Sequence, residues 1–217
     1  MFDIRPVINI LLIFTVFAFL HSITVSNRFK ALMIRILGER FVKGAYRLIF
    51  TFFSVIITAI AFSLIALQPN VGLRLELPIM IKLIFHVIQL IGLILIILPF
   101  KYINIFEFTG VSQFFSYIKG KEISGDLEGL NINGLITNGI YGYVRHPLYL
   151  GSFLIITFNP YLDINKIAFI IAADIYFIIG GLIEQRRMIK IFGDEYIEYQ
   201  KKVPAFFPSF KSKGRRS

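Results

Sequence analysis

The densest gathering of polar chemistry in the chain is Asn138-Gly-Ile-Tyr-Gly-Tyr-Val-Arg-His-Pro-Leu-Tyr-Leu-Gly151. Tyr141, Arg145, His146 and Tyr149 stand at the start of an apolar run, and Pro147 suits the first position of a helix. An open helix N-terminus beside Arg145 and His146 attracts anions such as a carboxylate, because its first N–H groups have no partner within the helix. Gly139, Gly142 and Gly151 allow close approach of backbone to whatever lies there. The alternative for the same residues is an interfacial aromatic belt with a snorkelling arginine. The three histidines, His21, His86 and His146, form no HExxH and no tight cluster with carboxylates, so a metal site is not expected. The absence of Cys excludes disulfides, Cys-ligated zinc, iron–sulfur clusters and thiol catalysis by the protein itself.

The elements that must position this cluster are membrane helices. Of 217 residues, 56% are hydrophobic and 17% charged, far from the balance of a soluble domain. Apolar blocks long enough to cross a bilayer run from Val7 to Val25, Leu48 to Leu67 and Lys82 to Lys101. A fourth, Pro147 to Leu162, is short and interrupted at Asn159-Pro160. A fifth, Ile167 to Ile183, contains Asp174. The expected fold is therefore all-α and integral to the membrane. It has about five transmembrane helices, the last two in a hairpin, and a C-terminal cytoplasmic amphipathic helix. Residues 1–210 form a single polytopic domain, with 133–208 as its cofactor-binding half and 211–217 as a basic tail. Asp3 spoils a basic flank before the first block, no A-x-A site follows it and more spans come after, so it is read as a retained helix.

Nineteen of the 23 Lys and Arg residues fall at 28–47, 101–145 and beyond 185. Basic residues concentrate in cytoplasmic loops, so the N-terminus is expected outside and the C-terminus in the cytoplasm, in the cell (inner) membrane. The net charge of +10 then reports an anionic leaflet as partner rather than nucleic acid. Between Tyr102 and His146, Gly125, Gly129, Gly134, Gly139 and Gly142 argue against one continuous helix. After Ile183 the pattern turns amphipathic and closes at Gly193. Asp194 is placed to cap a last helix ending before Pro204, with Tyr196, Tyr199 and Val203 on one face.

In order along the chain, Gly-x-Tyr-x-x-x-Arg-His-Pro-x-Tyr-x-Gly, Glu184, Phe192-Gly193-Asp194-Glu195-Tyr196-x-x-Tyr199 and Val203-Pro204…Pro208 resemble the isoprenylcysteine carboxyl methyltransferase superfamily. His21-Ser22, Tyr46-Arg47 and Phe106-x-Phe108-x-Gly110-x-x-Gln113 resemble its methanethiol S-methyltransferase and NnrU branch. The resemblance implies a membrane-embedded enzyme that uses S-adenosylmethionine. It implies cofactor contacts from Leu135, Ile136, Tyr141, His146, Pro147, Tyr149, Gly151 and Glu184. His146, Glu184 and Arg145 become the candidates for catalytic work, with no metal. Family members often carry paired Glu where this chain has Glu184-Gln185, which leaves Gln185 without an assigned role.

Methyl transfer from a sulfonium needs alignment and desolvation more than a protein nucleophile. Its cationic groups want a carboxylate or aromatic faces, which Glu184, Tyr141, Tyr149, Tyr196 and Tyr199 can supply. Its carboxylate wants Arg145, His146 and a helix N-terminus. No strand–helix alternation or G-x-G-x-x-G exists, so no soluble methyltransferase domain is expected.

Isoprenylcysteine-type enzymes meet a substrate carboxylate with an Arg one turn before the matched Glu; here that position is Gly180, followed by Gly181. The expectation is open space and an apolar wall there, suiting a small or hydrophobic thiol such as methanethiol, approaching from the lipid bilayer. His146 or Glu184 would take its proton through water. The alternatives are a carboxyl methyltransferase, with Arg47 or Arg145 reaching in, and a non-catalytic NnrU-like membrane protein. Asp174, and His86 with Gln89, are read either as interhelical hydrogen-bonding groups or as site residues. His21, at a helix end, is either solvated at the interface or in contact with substrate.

Overall fold

The computed structural model describes residues 3–70, 72, 74–123 and 134–207. Gly125, Gly129, Pro208 and the basic tail lie outside the described residues. Helix α1 (Arg5–Val25) stops where Ser26 turns extended, and the Ser26 hydroxyl then accepts from the Phe29 N–H at 3.2 Å to cap α2 (Asn27–Leu37). Beyond Gly38, α3 (Glu39–Phe41), a π-helical turn (Val42–Tyr46) and α4 (Arg47–Ala66) make one continuous 28-residue rod. Helix α5 (Ile79–Ile97) ends in a 3₁₀ turn at Leu98–Lys101. Two short helices, α6 (Ile105–Thr109) and α7 (Val111–Ile118), are hinged at Gly110, whose φ of 89° only glycine adopts freely. The expectation of no continuous helix between residues 102 and 146 holds for the described part, which adds only a 3₁₀ turn at Gly139–Gly142.

Helix α8 (Pro147–Thr157) is the first correction. It has 11 residues and stops before the Asn159-Pro160 interruption, short of the expected bound at Leu162. The cause is local: the Asn159 carboxamide oxygen accepts from the Tyr161 N–H at 2.9 Å, a turn that leaves the helix before Pro160. Among the described residues, four helices are long and apolar enough to cross a membrane, and α8 is a fifth, shorter apolar helix. The second correction concerns α9 (Ile164–Phe192). The expected fifth span and the amphipathic segment are one helix of 29 residues, about 43 Å at 1.5 Å per residue. It is closed at Gly193, whose positive φ of 56° bears out the expected stop. The last helix, α10 (Asp194–Lys202), is capped by Gly193 and not by the Asp194 side chain, which already sits inside the first turn.

The chain nonetheless runs from one end of the bundle to the other five times. β1 (Arg74–Leu75), between α4 and α5, pairs antiparallel with β2 (Leu162–Asp163), between α8 and α9, with Arg74 opposite Asp163. Asn165 donates to the Pro69 carbonyl at 3.0 Å at that same end, and Asn9 donates to Gln68 at 3.0 Å. So α8 and the extended residues after it complete the fifth passage, antiparallel to α5, and then fold back on α9. The small core is complemented by outward apolar faces: in three of the four long helices, 11% of the apolar window is buried inside the protein. Residues such as Phe52, Leu83, Val87 and Ile179 point outward, so lipid must cover them. The protein is all-α and integral to the membrane.

Candidate active site

The loop before α8 is held by the segment after α10. Arg145 N–H donates to the Pro204 carbonyl at 2.9 Å and His146 N–H to the Ala205 carbonyl at 3.0 Å. The Arg145 side chain continues the clamp, with Nε on the Val203 carbonyl at 2.9 Å and Nη1 on Gln185 Oε1 at 3.1 Å. Its guanidinium also lies 5.8 Å from the Tyr196 ring centre. Gln200 donates to the same Gln185 oxygen at 3.1 Å, so Gln185, unassigned from sequence, is the neutral acceptor that ties α9 to α10. Tyr196, Tyr199 and Val203 form the expected buried face, and Leu135 packs on it beside Met188. The Tyr199 hydroxyl donates to the Tyr141 carbonyl. Arg145 is thus engaged in holding the clamp together.

That clamp turns His146 inward. Its side chain is 5% exposed, with Nδ1 at 4.0 Å from Glu184 Oε2. Nε2 is buried and makes no hydrogen bond among the described residues. Burial, reinforced by the charge of Arg145, pushes the His146 pKa down to about 4, so the imidazole is neutral at pH 7. Tyr149 stands edge-on to the ring at 5.7 Å and Phe206 tilts against its other side at 5.7 Å. The Tyr149 hydroxyl hydrogen-bonds Glu184, whose side chain keeps 38% exposure. Burial and the Glu184 charge hold the Tyr141 phenol protonated, its pKa raised. Pro147 is fully buried in the first turn of α8, and Ile136 is half-buried.

Close packing surrounds three of the glycines. Gly151 sits in the α5–α8 crossing, where an added Cβ would stand 2.5 Å from the Gly92 carbonyl oxygen. Gly180 and Gly181 do not leave open space. A Cβ at Gly181 would lie 2.5 Å from Phe206 Cζ, and one at Gly180 would lie 3.2 Å from Tyr149 Cε1. The chain's own aromatic rings fill the gap and supply the apolar wall.

Sequence spacing missed a second polar cluster one layer away, because its members are far apart in the chain. His21 Nδ1 lies 2.8 Å from the Tyr176 hydroxyl, 155 positions along, and Tyr176 also hydrogen-bonds Ser22. His21 is therefore tied to α9 rather than simply solvated. Its ring is 5.3 Å from Phe50. Arg47 lies over Phe50 and over Phe108, at 5.7 and 5.1 Å, and donates Nε to the Phe108 carbonyl at 2.8 Å. Its charge acts on both His21 and Glu184. Asp174, His86 and Gln89 each hold hydrogen bonds within the bundle. Thr157 donates to Asp174 at 3.0 Å, and Gln89 Oε1 accepts from His86 Nδ1 at 3.1 Å while its Nε2 donates to the Ile155 carbonyl of α8 at 2.9 Å.

A buried neutral imidazole with an unused nitrogen, a carboxylate and a tyrosine hydroxyl on one cleft can receive a ligand that carries both a cation and polar acceptors. No family model matches the chain. A methanethiol S-methyltransferase from Crocosphaera subtropica is 26% identical over 89% of this chain and 71% of the relative. A second, methanethiol S-methyltransferase 1 from Bradyrhizobium diazoefficiens, is 27% identical over 93% of this chain and 66% of the relative. The protein-S-isoprenylcysteine O-methyltransferase of Schizosaccharomyces pombe is 30% identical over 59% of this chain and 53% of its own length. By sequence, then, the chain is similar to methanethiol S-methyltransferases over most of its length and to an isoprenylcysteine O-methyltransferase over a little more than half of it.

Proposed function

We propose that the protein is a membrane methyltransferase that uses S-adenosylmethionine to S-methylate a small or hydrophobic thiol, methanethiol being the nearest precedent among its relatives. The observation that carries the reading is the His146–Glu184–Tyr149 cleft, sealed by Phe206 and held by the Arg145–Gln185 clamp. When bound, S-adenosylmethionine supplies an electrophilic methyl group on a sulfonium centre. Glu184 and the faces of Tyr141 and Tyr149 suit its positive charges, and the unused His146 Nε2 offers a polar partner in a dry wall. Leu135, Ile136 and Pro147 complete the apolar lining, and Tyr149 orients the Glu184 carboxylate. Neutral His146 adds no positive charge to repel the sulfonium.

The apolar wall made by Tyr149 and Phe206 beside Gly180 and Gly181 favours a neutral acceptor over a carboxylate, since an anion against it would be desolvated without a partner. The N-terminus lies outside and the C-terminus in the cytoplasm of the cell membrane, because the basic residues concentrate at the end that carries the cleft. The test is calorimetric titration of the purified protein with S-adenosylmethionine, followed by turnover of methanethiol beside a farnesylcysteine analogue. Donor binding with thiol turnover supports the reading. No donor binding, or turnover of the carboxylate alone, overturns it.

A further inference from the structure

The second polar cluster connects to the His146–Glu184–Tyr149 group through packed rings. Tyr176 and Phe177 are adjacent on α9, Phe177 meets the Tyr149 ring at 6.4 Å, and Tyr149 bonds Glu184. One chain of contacts thus links His21 to the donor cleft. Phe17 adds an apolar approach from α1, with its ring 5.8 Å from His21 and 6.1 Å from Tyr176. The sequence spends unusual backbone on Arg47: the π turn at Val42–Tyr46 ends on it, and Gly110 lies so close that a Cβ there would meet Leu48 N at 2.4 Å and Arg47 C at 2.8 Å. π turns concentrate where a helix must re-aim a functional side chain.

We propose that His21 is the base that removes the acceptor's thiol proton, in a subsite of His21, Tyr176, Arg47 and Phe50 between α1, α4 and α9, with Arg47 holding the thiolate. The inference rests on the methyltransferase reading above. With Nδ1–H donated to the Tyr176 oxygen, His21 Nε2 keeps its lone pair for the incoming S–H. The S–H bond breaks and an N–H bond forms on Nε2, leaving imidazolium and thiolate beside the Arg47 guanidinium. The thiolate forms its new S–C bond to the methyl group as the donor's C–S bond breaks, with that electron pair staying on the donor sulfur. The product is a neutral thioether, and His21 returns its proton to water. A carboxylate acceptor is already ionised at neutral pH and has no use for this base, so the pair points to a thiol.

Methaneselenol supplies the discriminating probe, because a selenol is ionised at neutral pH and needs no base. The His21→Ala variant is expected to lower kcat/KM for methanethiol by about 100-fold and that for methaneselenol by no more than about fivefold. Its affinity for S-adenosylmethionine, read by calorimetry, is expected to match wild type. Arg47→Gln is expected to raise KM for both acceptors. Equal losses on thiol and selenol, or lost donor binding in His21→Ala, make His21 a structural residue and overturn the proposal. An unchanged KM in Arg47→Gln removes the thiolate-holding role. Wild-type protein that binds the donor and methylates the thiol, with His21→Ala equally active, overturns this inference alone. Wild-type protein that neither binds the donor nor methylates either acceptor overturns the underlying reading as well.

Discussion

Gly92 of α5 and Gly151 of α8 face each other so closely that a Cβ on Gly151 would stand 2.5 Å from the Gly92 carbonyl oxygen and 2.8 Å from Ile96 Cγ1. Small residues at such a crossing let two membrane helices approach through their backbones, where packing rather than hydrophobicity drives association. Because α8 is too short to span alone, this contact fixes the depth of its N-terminus, and with it His146 and Tyr149.

Gly151→Ala should therefore destabilise the protein by about 1–3 kcal/mol, the usual cost of overpacking. A thermal melt in detergent reads the loss. Below the melting temperature donor binding should survive; a variant as stable as wild type would show that the helices slide apart freely.

Gln185 accepts from both Arg145 and Gln200, so Gln185→Leu leaves a charged donor without its partner at the α9–α10 junction. The expected cost is about 1–3 kcal/mol of stability. Gln185→Glu, which restores the paired carboxylates of the wider family, keeps an acceptor for Arg145 and should melt close to wild type. If Leu and Glu variants melt together, the clamp does not depend on this oxygen.

The donor cleft makes a sharper demand. Glu184→Gln removes the carboxylate, and Tyr149→Phe removes the hydroxyl that orients it. Losing a charge-assisted hydrogen bond costs about 1.5–3 kcal/mol, which corresponds to about 10- to 150-fold in affinity for S-adenosylmethionine. Wild-type affinity in both variants, measured by calorimetry, contradicts the proposed donor site.

His146 gives stability a pH dependence whose sign is fixed. Its folded pKa, about 4, lies below the ordinary imidazole value of 6.5, so the unfolded chain binds this proton more readily than the native protein does. The stabilisation is complete above pH 6.5 and is lost as the pH falls through that value towards 4. His146→Asn should melt with a flatter profile between pH 7 and pH 4.5 than wild type. Parallel profiles would show that the imidazole is not held neutral by burial.

The sequence makes the long apolar helices legible because composition alone decides what lipid can cover. The donor cluster is equally legible, since Arg145 to Gly151 is contiguous and Tyr196, Tyr199 and Val203 repeat at helical spacing. Three features are not. Val42–Tyr46 falls in the basic stretch before the expected second span, and nothing in its pattern marks the π turn, where Gly44 is pressed against Tyr117. Spacing shows that Gly180 and Gly181 lack side chains, but Phe206 and Tyr149, which fill the gap, come from other segments. His21 and Tyr176 meet across 155 positions, a contact that no local pattern encodes.

Topology offers the last test, because a helix count and the path of the chain give opposite answers. Four helices of spanning length, taken alone, would return both termini to one side of the membrane. The pairing of Arg74 with Asp163 requires the connection after α8 to lie at the same end as the connection between α4 and α5. The Asn165 bond to Pro69 repeats that requirement with a side chain. The 11-residue α8 and the extended residues after it therefore run back along α5, the path expected if the termini lie on opposite sides. Their passage is sustained by burial against α5, where Gln89 satisfies the Ile155 carbonyl near the helix end. A reporter active only in the cytoplasm should be active when fused after Lys202 and inactive when fused at Gly72. A reporter inserted at Pro160 should match the Gly72 fusion. Activity at Gly72 equal to that after Lys202, with Pro160 inactive, would make α8 a re-entrant helix and reverse the assignment of the N-terminus.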